Sequence, residues 1–425
     1  MKYENSLAFA KKLDRDDPLR KFRSRFYFPK HKRKDVLYFC GNSLGLQPKT
    51  THAAIEQELN DWKKFGVEGH FRAKNPWFPY HEFLRKPMAK IIGAKPNEVV
   101  VMNSLTVNLH LMMVSFYRPT QQRYKIICEW SPFPSDRYAL ASQAAFHANI
   151  PGRLSFNPAD AIIELKPKNN SNYISSEQII NAIEESKNEL ALVMIGGVNY
   201  YSGQFFDMKK ITEAAHNVGA IAGFDLAHAA GNVKLDLHKW NVDFAIWCSY
   251  KYLNAGPGSV GGTFIHEKHA ANISLPRFAG WWGNDPKTRF TMPHEFVPVK
   301  SADAWQLSNA PVFSMAALKS SLDIFIEAGM ENLVYKSKML TGYLQFLISE
   351  INPKLKIITP SDERGCQLSL IIEKNGRKAY DYLVKNGVIA DWREPDVIRV
   401  APVPLYNSFE DVFRFSQILE QALKK

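Results

Sequence analysis

The chain has 425 residues, 45% of them hydrophobic and 23% charged. That length exceeds one small core and points to a large domain with a smaller companion, and the composition is ordinary for a soluble globular protein. The formal net charge of +12 raises nucleic acid as a partner, but no helix-turn-helix, zinc-finger or RNP-like pattern accompanies it, so a solvated basic surface that attracts anionic small molecules is expected.

In chain order, the start MKYENSLAFAKKLDRDD lacks the apolar middle and small-residue cleavage site of a secretory signal, and a cytoplasmic protein is expected. No later run approaches the roughly 18 apolar residues of a spanning helix, so no membrane partner is expected. Basic residues cluster at Lys21 to Arg25 and Lys30 to Lys34. VVVM (99–102) reads as a buried strand, and the stretch 103–117 opens a helix after it. SSEQIINAIEES (175–186) begins with a capping-box pattern, Ser175 with Gln178, and carries apolar residues at helical spacing. ALVMIGG (191–197), AIAGFD (220–225) and VDFAIWCS (242–249) read as wholly apolar strands. Between the first two, 207–219 reads as a helix stopped by Gly219. Apolar strands alternating with amphipathic helices indicate an α/β fold with a mostly parallel sheet buried on both faces.

The last hundred residues differ. A long helix over about 314–350, broken near Gly329, precedes strands at 366–372 and 397–402 and helices near 376–386 and 409–424. This suits a smaller α+β domain. The expected division is 1–45 packing with the small domain, 46–299 as the large domain and 300–425 as the small one. Cys40, Cys128, Cys248 and Cys366 lie far apart with no metal-binding spacing, so reduced thiols and no metal are expected.

Ligands of such sheets gather at the C-terminal ends of strands. Lys251 leaves a buried strand into the glycine-rich turn NAGPG, where desolvation would make its amine reactive; a solvated lysine is the plain alternative. Asp225 ends another strand 26 residues earlier, with His228 close behind. An amine and a carboxylate at one rim suit pyridoxal phosphate (PLP), whose ring nitrogen needs a carboxylate partner; a helix cap and a packed histidine are the alternatives. The helix opening at Leu105 and Thr106 offers free N–H groups for a phosphate, unless Thr106 is only a cap. Phe133 could stack on a ring and Asp136 reach its hydroxyl region, or Phe133 could be core.

The stretches YFCGNSLGLQPK, LTVNLHL, FPSD, GFDLAHAAGNV, WCSYKYLNAGPG and RVAPVPLYNSF closely resemble the kynureninase family, PLP enzymes of the aspartate-aminotransferase fold superfamily. The resemblance runs from about residue 38 to 415. It implies a homodimer with active sites at the subunit interface and hydrolysis of the Cβ–Cγ bond of kynurenine or 3-hydroxykynurenine. The aromatic product would serve tryptophan recycling or NAD synthesis. By the family pattern Lys251 is the Schiff-base lysine, Asp225 the pyridinium partner and His228 the residue beside the ring. Leu105, Thr106 and Tyr250 fall at the phosphate, with Tyr250 also a candidate acid or base, and Phe133 and Asp136 at the ring. Trp281 and Asn309 match positions supplied by the neighbouring subunit, with Trp282 an alternative register for the first. Arg399 matches the clamp for the substrate α-carboxylate, a task suited to a forked guanidinium; without the family it would read as a surface arginine. Ser43, His70 and Asn309 match residues near the substrate's aromatic end. One departure is Gly196, where the family often has Ser or Thr, so a hydroxyl contact would be missing. A cysteine desulfurase or aminotransferase on the same scaffold is the competing reading; the first needs a mobile cysteine, and Cys248 lies inside a strand.

Overall fold

The computed structural model describes residues 2–148, 155–168, 171–351 and 355–424. Its centre is a seven-stranded sheet of β1 (Val99–Val101), β2 (Lys125–Glu129), β3 (Ile162–Leu165), β4 (Leu190–Gly196), β5 (Ile221–Asp225), β6 (Phe244–Trp247) and β7 (Gly262–Ile265). The order is β1-β7-β6-β5-β4-β2-β3. Strands β2 to β6 pair in parallel, and β7 runs antiparallel to both its neighbours. The expected α/β class with a mostly parallel sheet is therefore present. Strands β1, β6 and β7 are buried at every position, which explains their unbroken apolar sequences: side chains on both faces meet packed layers.

The helices between the strands end where their sequences signal. Ser175 caps the helix Ser176–Glu185 by accepting the Gln178 N–H at 3.1 Å. The reciprocal half of the expected capping box is absent, because the Gln178 side chain donates to the Lys166 carbonyl instead. Asp207 caps Met208–Asn217, and Gly219 turns the chain into β5 with a φ of 73° that suits glycine. In the centre of the sheet Gly223 pairs with Phe244, and a Cβ there would come within 2.2 Å of the Phe244 ring. Glycine thus lets that ring fold over the neighbouring strand.

Beyond the large sheet, helices Val312–Ala328 and Met330–Ile351 are separated at Gly329, as the sequence suggests. A four-stranded antiparallel sheet follows, built from β8 (Leu355–Ile357), β9 (Leu368–Ile372), β10 (Asp391–Arg393) and β11 (Val397–Val400) in the order β8-β9-β11-β10. Ala10 and Leu13, from the first helix, and Phe39 share its apolar core with Leu368, Val412 and Phe415. The pair Leu37–Tyr38 also lies parallel to Val388–Ile389. The N-terminal basic cluster is largely taken up by ion pairs: Lys21 and Arg25 with Glu327, Arg23 with Asp411, Lys30 with Asp35. All four cysteines are free thiols, and all but Cys40 are buried.

Candidate active site

Parallel strands β2, β4 and β5 end side by side at Glu129, Gly196 and Asp225, and Lys251 lies just beyond β6. These ends form the floor of a cavity lined by Leu105, Thr106, Glu129, Phe133, Ser135, Asp136, Gly196, Val198, Tyr200, Asp225, Ala227, His228, Tyr250 and Lys251. Lys251 Nζ lies 3.0 Å from His228 Nε2 and 5.6 Å from the centre of the Phe133 ring. Burial first, then the Lys251 charge, pushes the His228 imidazole well down, so it is neutral and accepts from the lysine.

Asp225 is 8% exposed and accepts the Ala227 N–H at 2.6 Å. It also shares a hydrogen bond with Asp136, and two buried carboxyl groups in contact cannot both stay ionised. Burial and repulsion from Asp225 push Asp136 well up, making it the protonated member. The remaining Asp136 Oδ1 and the His228 Nδ1 are buried with no partner among the described residues. Both belong to residues lining the cavity, so a group bound there would meet unpaired polar atoms.

On the same cavity, the helix Leu105–Phe116 starts after Ser104, which makes no side-chain cap. Its first-turn N–H groups have no side-chain cap, and the Thr106 hydroxyl lies 2.6 Å from that of Ser135. Thr106 therefore sits inside the first turn rather than capping it. Burial, then the Cys248 thiol, pushes the Tyr250 phenol up, so it holds its proton.

Arg399 departs most from its plain sequence reading. It is 1% exposed, not a surface residue. Its Nη1 donates to the Tyr200 carbonyl and its Nη2 to Asp391, both at 2.7 Å, leaving Nε without a partner. Tyr200 lines the cavity and meets the Phe133 ring edge-on at 5.4 Å. Ser43 does not line the cavity, but its loop abuts it: the Gly45 N–H donates to the Tyr250 carbonyl, and a Cβ on Gly45 would meet the Lys251 carbonyl at 2.4 Å.

Arg399 itself is not among the residues lining the cavity, and neither are His70, Trp281 and Asn309 within one chain. His70 stacks on Phe78 at 4.6 Å, and Phe78 in turn stacks on Trp282. Trp282 is fully buried while Trp281 is 42% exposed, so of the doubled tryptophan only Trp281 has surface to offer another molecule. Asn309 is exposed in the loop before Val312. Conversely Glu129, Ser135 and Tyr200 line the cavity without having been singled out. Glu129 had a legible signal, since it too ends a buried strand on the same rim.

Comparison with known proteins decides the lineage. The family described as "Kynureninase C-terminal domain" matches residues 333–419. A kynureninase of Flavobacterium psychrophilum is 54% identical over 429 residues, covering 100% of this chain and 99% of the relative. The chain belongs to the kynureninase family. Kynureninases of Myxococcus xanthus and Nematostella vectensis are 52% and 48% identical, covering 98% and 99% of the chain and 97% and 94% of theirs. Among solved structures, a cysteine desulfurase of Escherichia coli superposes with a TM-score of 0.75 at 15% identity, over 96% of this chain and 98% of that one. The cystine C-S lyase C-DES superposes at 0.73 and 16% identity, over 90% and 97%. At that distance these two establish the shared fold and nothing finer.

Proposed function

We propose that this chain is a PLP-dependent kynureninase that hydrolyses the Cβ–Cγ bond of L-kynurenine or 3-hydroxy-L-kynurenine to anthranilate or 3-hydroxyanthranilate and L-alanine. The observation that carries this is Lys251 and Asp225 lining one cavity in a chain related over its full length to kynureninases.

The cavity fits PLP by its own chemistry. The free first turn at Leu105 and Thr106, with Ser135 and Tyr250, would hold a phosphate. Phe133 would cover one ring face, His228 would lie beside the ring, and the Asp136–Asp225 pair would meet its polar edge through the unpaired Asp136 Oδ1 and the carboxylate of Asp225. PLP supplies there an aldehyde for amines and a conjugated ring that takes up electrons from the substrate's α-carbon.

The chain's own residues do the rest. Lys251 Nζ would hold the cofactor aldehyde and, when free, would be the base that takes the substrate's α-proton. Neutral His228 accepts from Nζ and keeps it aimed into the cavity. Asp225 would face the ring nitrogen and favour its protonated form. Arg399 binds the substrate carboxylate, with Asp391 and Tyr200 fixing its fork. Tyr250, still protonated, serves as acid at the substrate γ-carbonyl, beside the water that adds there.

Trp281 and Asn309 are assigned to the partner's site in a homodimer, and His70 to the substrate's aromatic end. Exposed Trp281, Phe290 and Met292 supply apolar surface for that interface. Four free thiols suit the reducing cytoplasm. No helix among the described residues is long and apolar enough to cross a membrane. A desulfurase is disfavoured because Cys248 is 4% exposed and burial pushes its thiol up, away from a reactive thiolate.

The test is a visible spectrum of the purified protein followed by addition of 3-hydroxykynurenine. A yellow cofactor band and equal amounts of hydroxyanthranilate and alanine are expected. Release of sulfide from cysteine without cleavage of either kynurenine would overturn the reading.

A further inference from the structure

Glu129 is the third carboxyl group of the cavity, and the reaction set out above gives it nothing to do. It ends β2, is 5% exposed, and both its oxygens accept the Gly196 N–H, at 3.1 and 3.2 Å. Gly196 pairs across the sheet with Asp225, so the Glu129 carboxyl is tied to the strand beside the one that carries the ring partner. A Cβ on Gly196 would come within 2.9 Å of Glu129 Oε1. Glycine at this position therefore has a reason: it leaves room for the Glu129 carboxyl.

The charged surroundings are Asp225 from β5, Asp136 from the helix Pro134–Ala148, and the Glu164–Arg137 ion pair, with Lys251 and His228 in the same cavity. Burial, helped by Asp225 and Glu164 and opposed by the Gly196 N–H, pushes the Glu129 carboxyl up to about 7. Three buried carboxyl groups around one lysine are more than a single ring nitrogen requires.

We infer that Glu129 is a positioning residue for the cofactor ring, locking the strand ends behind the Asp136–Asp225 pair and adding negative potential that favours protons on the ring nitrogen and on the nitrogen joining Lys251 to the cofactor. The inference rests on the PLP reading above. Its charge contribution grows as the pH rises through the range where Glu129 ionises.

The test uses holoenzyme and two readouts besides turnover: the pH midpoint of the visible band, from about pH 6 to about pH 10, and the dissociation constant of PLP. Glu129→Gln removes the charge and should lower the midpoint by about one unit and weaken PLP binding by about tenfold. Glu129→Asp retains a carboxylate and should return the midpoint to within a few tenths of a unit of the parent. Gly196→Ala, which crowds an intact Glu129, should lower the midpoint in the same direction and carries the test if Glu129→Gln fails to fold. An unchanged midpoint in a well-folded Glu129→Gln protein would overturn the inference, as would equal shifts in the Gln and Asp variants, which would make the role packing alone. A parent protein with no visible band would instead overturn the PLP reading itself.

Discussion

The arrangement around Lys251 makes sharp demands on single side chains. Lys251→Ala should keep the fold, lose the visible band and lower kcat by a factor of about a thousand or more, read by spectrum and product assay. Arg399 needs a gentler change, because Arg399→Ala would strip the buried Asp391 of one of its two arginine partners, leaving only Arg393. Arg399→Lys keeps the charge but cannot fork. It should raise KM by about tenfold or more while kcat changes little, measured by steady-state kinetics. An equal loss in kcat alone would point away from carboxylate binding.

Stability hangs on how the elements pack. Gly223→Ala drives a methyl into the Phe244 ring on the adjacent strand and should cost about 1–3 kcal/mol, seen as a lower Tm. His81, in the helix Tyr80–Ile92, is buried, and its pKa is lowered to about 3 by burial first and then by Arg85 and Arg289. The unfolded chain binds a proton at this residue near pH 6.5, whereas the folded chain refuses it down to about pH 3. Stability therefore falls as the pH drops through this window, by up to about 1.4 kcal/mol per unit from this group. His81→Gln should flatten the fall in Tm between those limits. The strands and helices were legible because an apolar strand buried on both faces and an amphipathic helix leave different periods in the sequence. The missing half of the capping box at Gln178 was not, since its side chain answers to the Lys166 carbonyl, a contact between separate segments.

At the level of the assembled protein, the homodimer reading predicts that sites can be rebuilt from damaged parts. Lys251→Ala and Asn309→Asp homodimers, each weak alone, should regain up to roughly a quarter of the parent activity after subunit exchange, because half the dimers then hold one intact site. No recovery despite proven exchange would remove Asn309 from the partner's site. The choice of substrate belongs here too, since in this reading Asn309 reaches the partner's site and His70 borders the substrate's aromatic end. Comparison of kcat/KM should favour 3-hydroxykynurenine, and a tenfold or greater preference for kynurenine would reject that assignment.

The sequence by itself determined the fold class, the lineage and the lysine–aspartate rim. Those features are written in short-range patterns and in motifs whose residue types the chemistry requires. Only the tertiary structure decided that Arg399 is buried against Asp391 and Tyr200, that Trp282 is core while Trp281 is exposed, and that Glu129 lies against Gly196. Tyr200 lies 199 residues from Arg399 and Gly196 lies 67 from Glu129; the short Arg399–Asp391 link spans two strands of one sheet, and the tryptophans depend on the packing around them. Burial and charge are set by what the fold brings near, which no local pattern records.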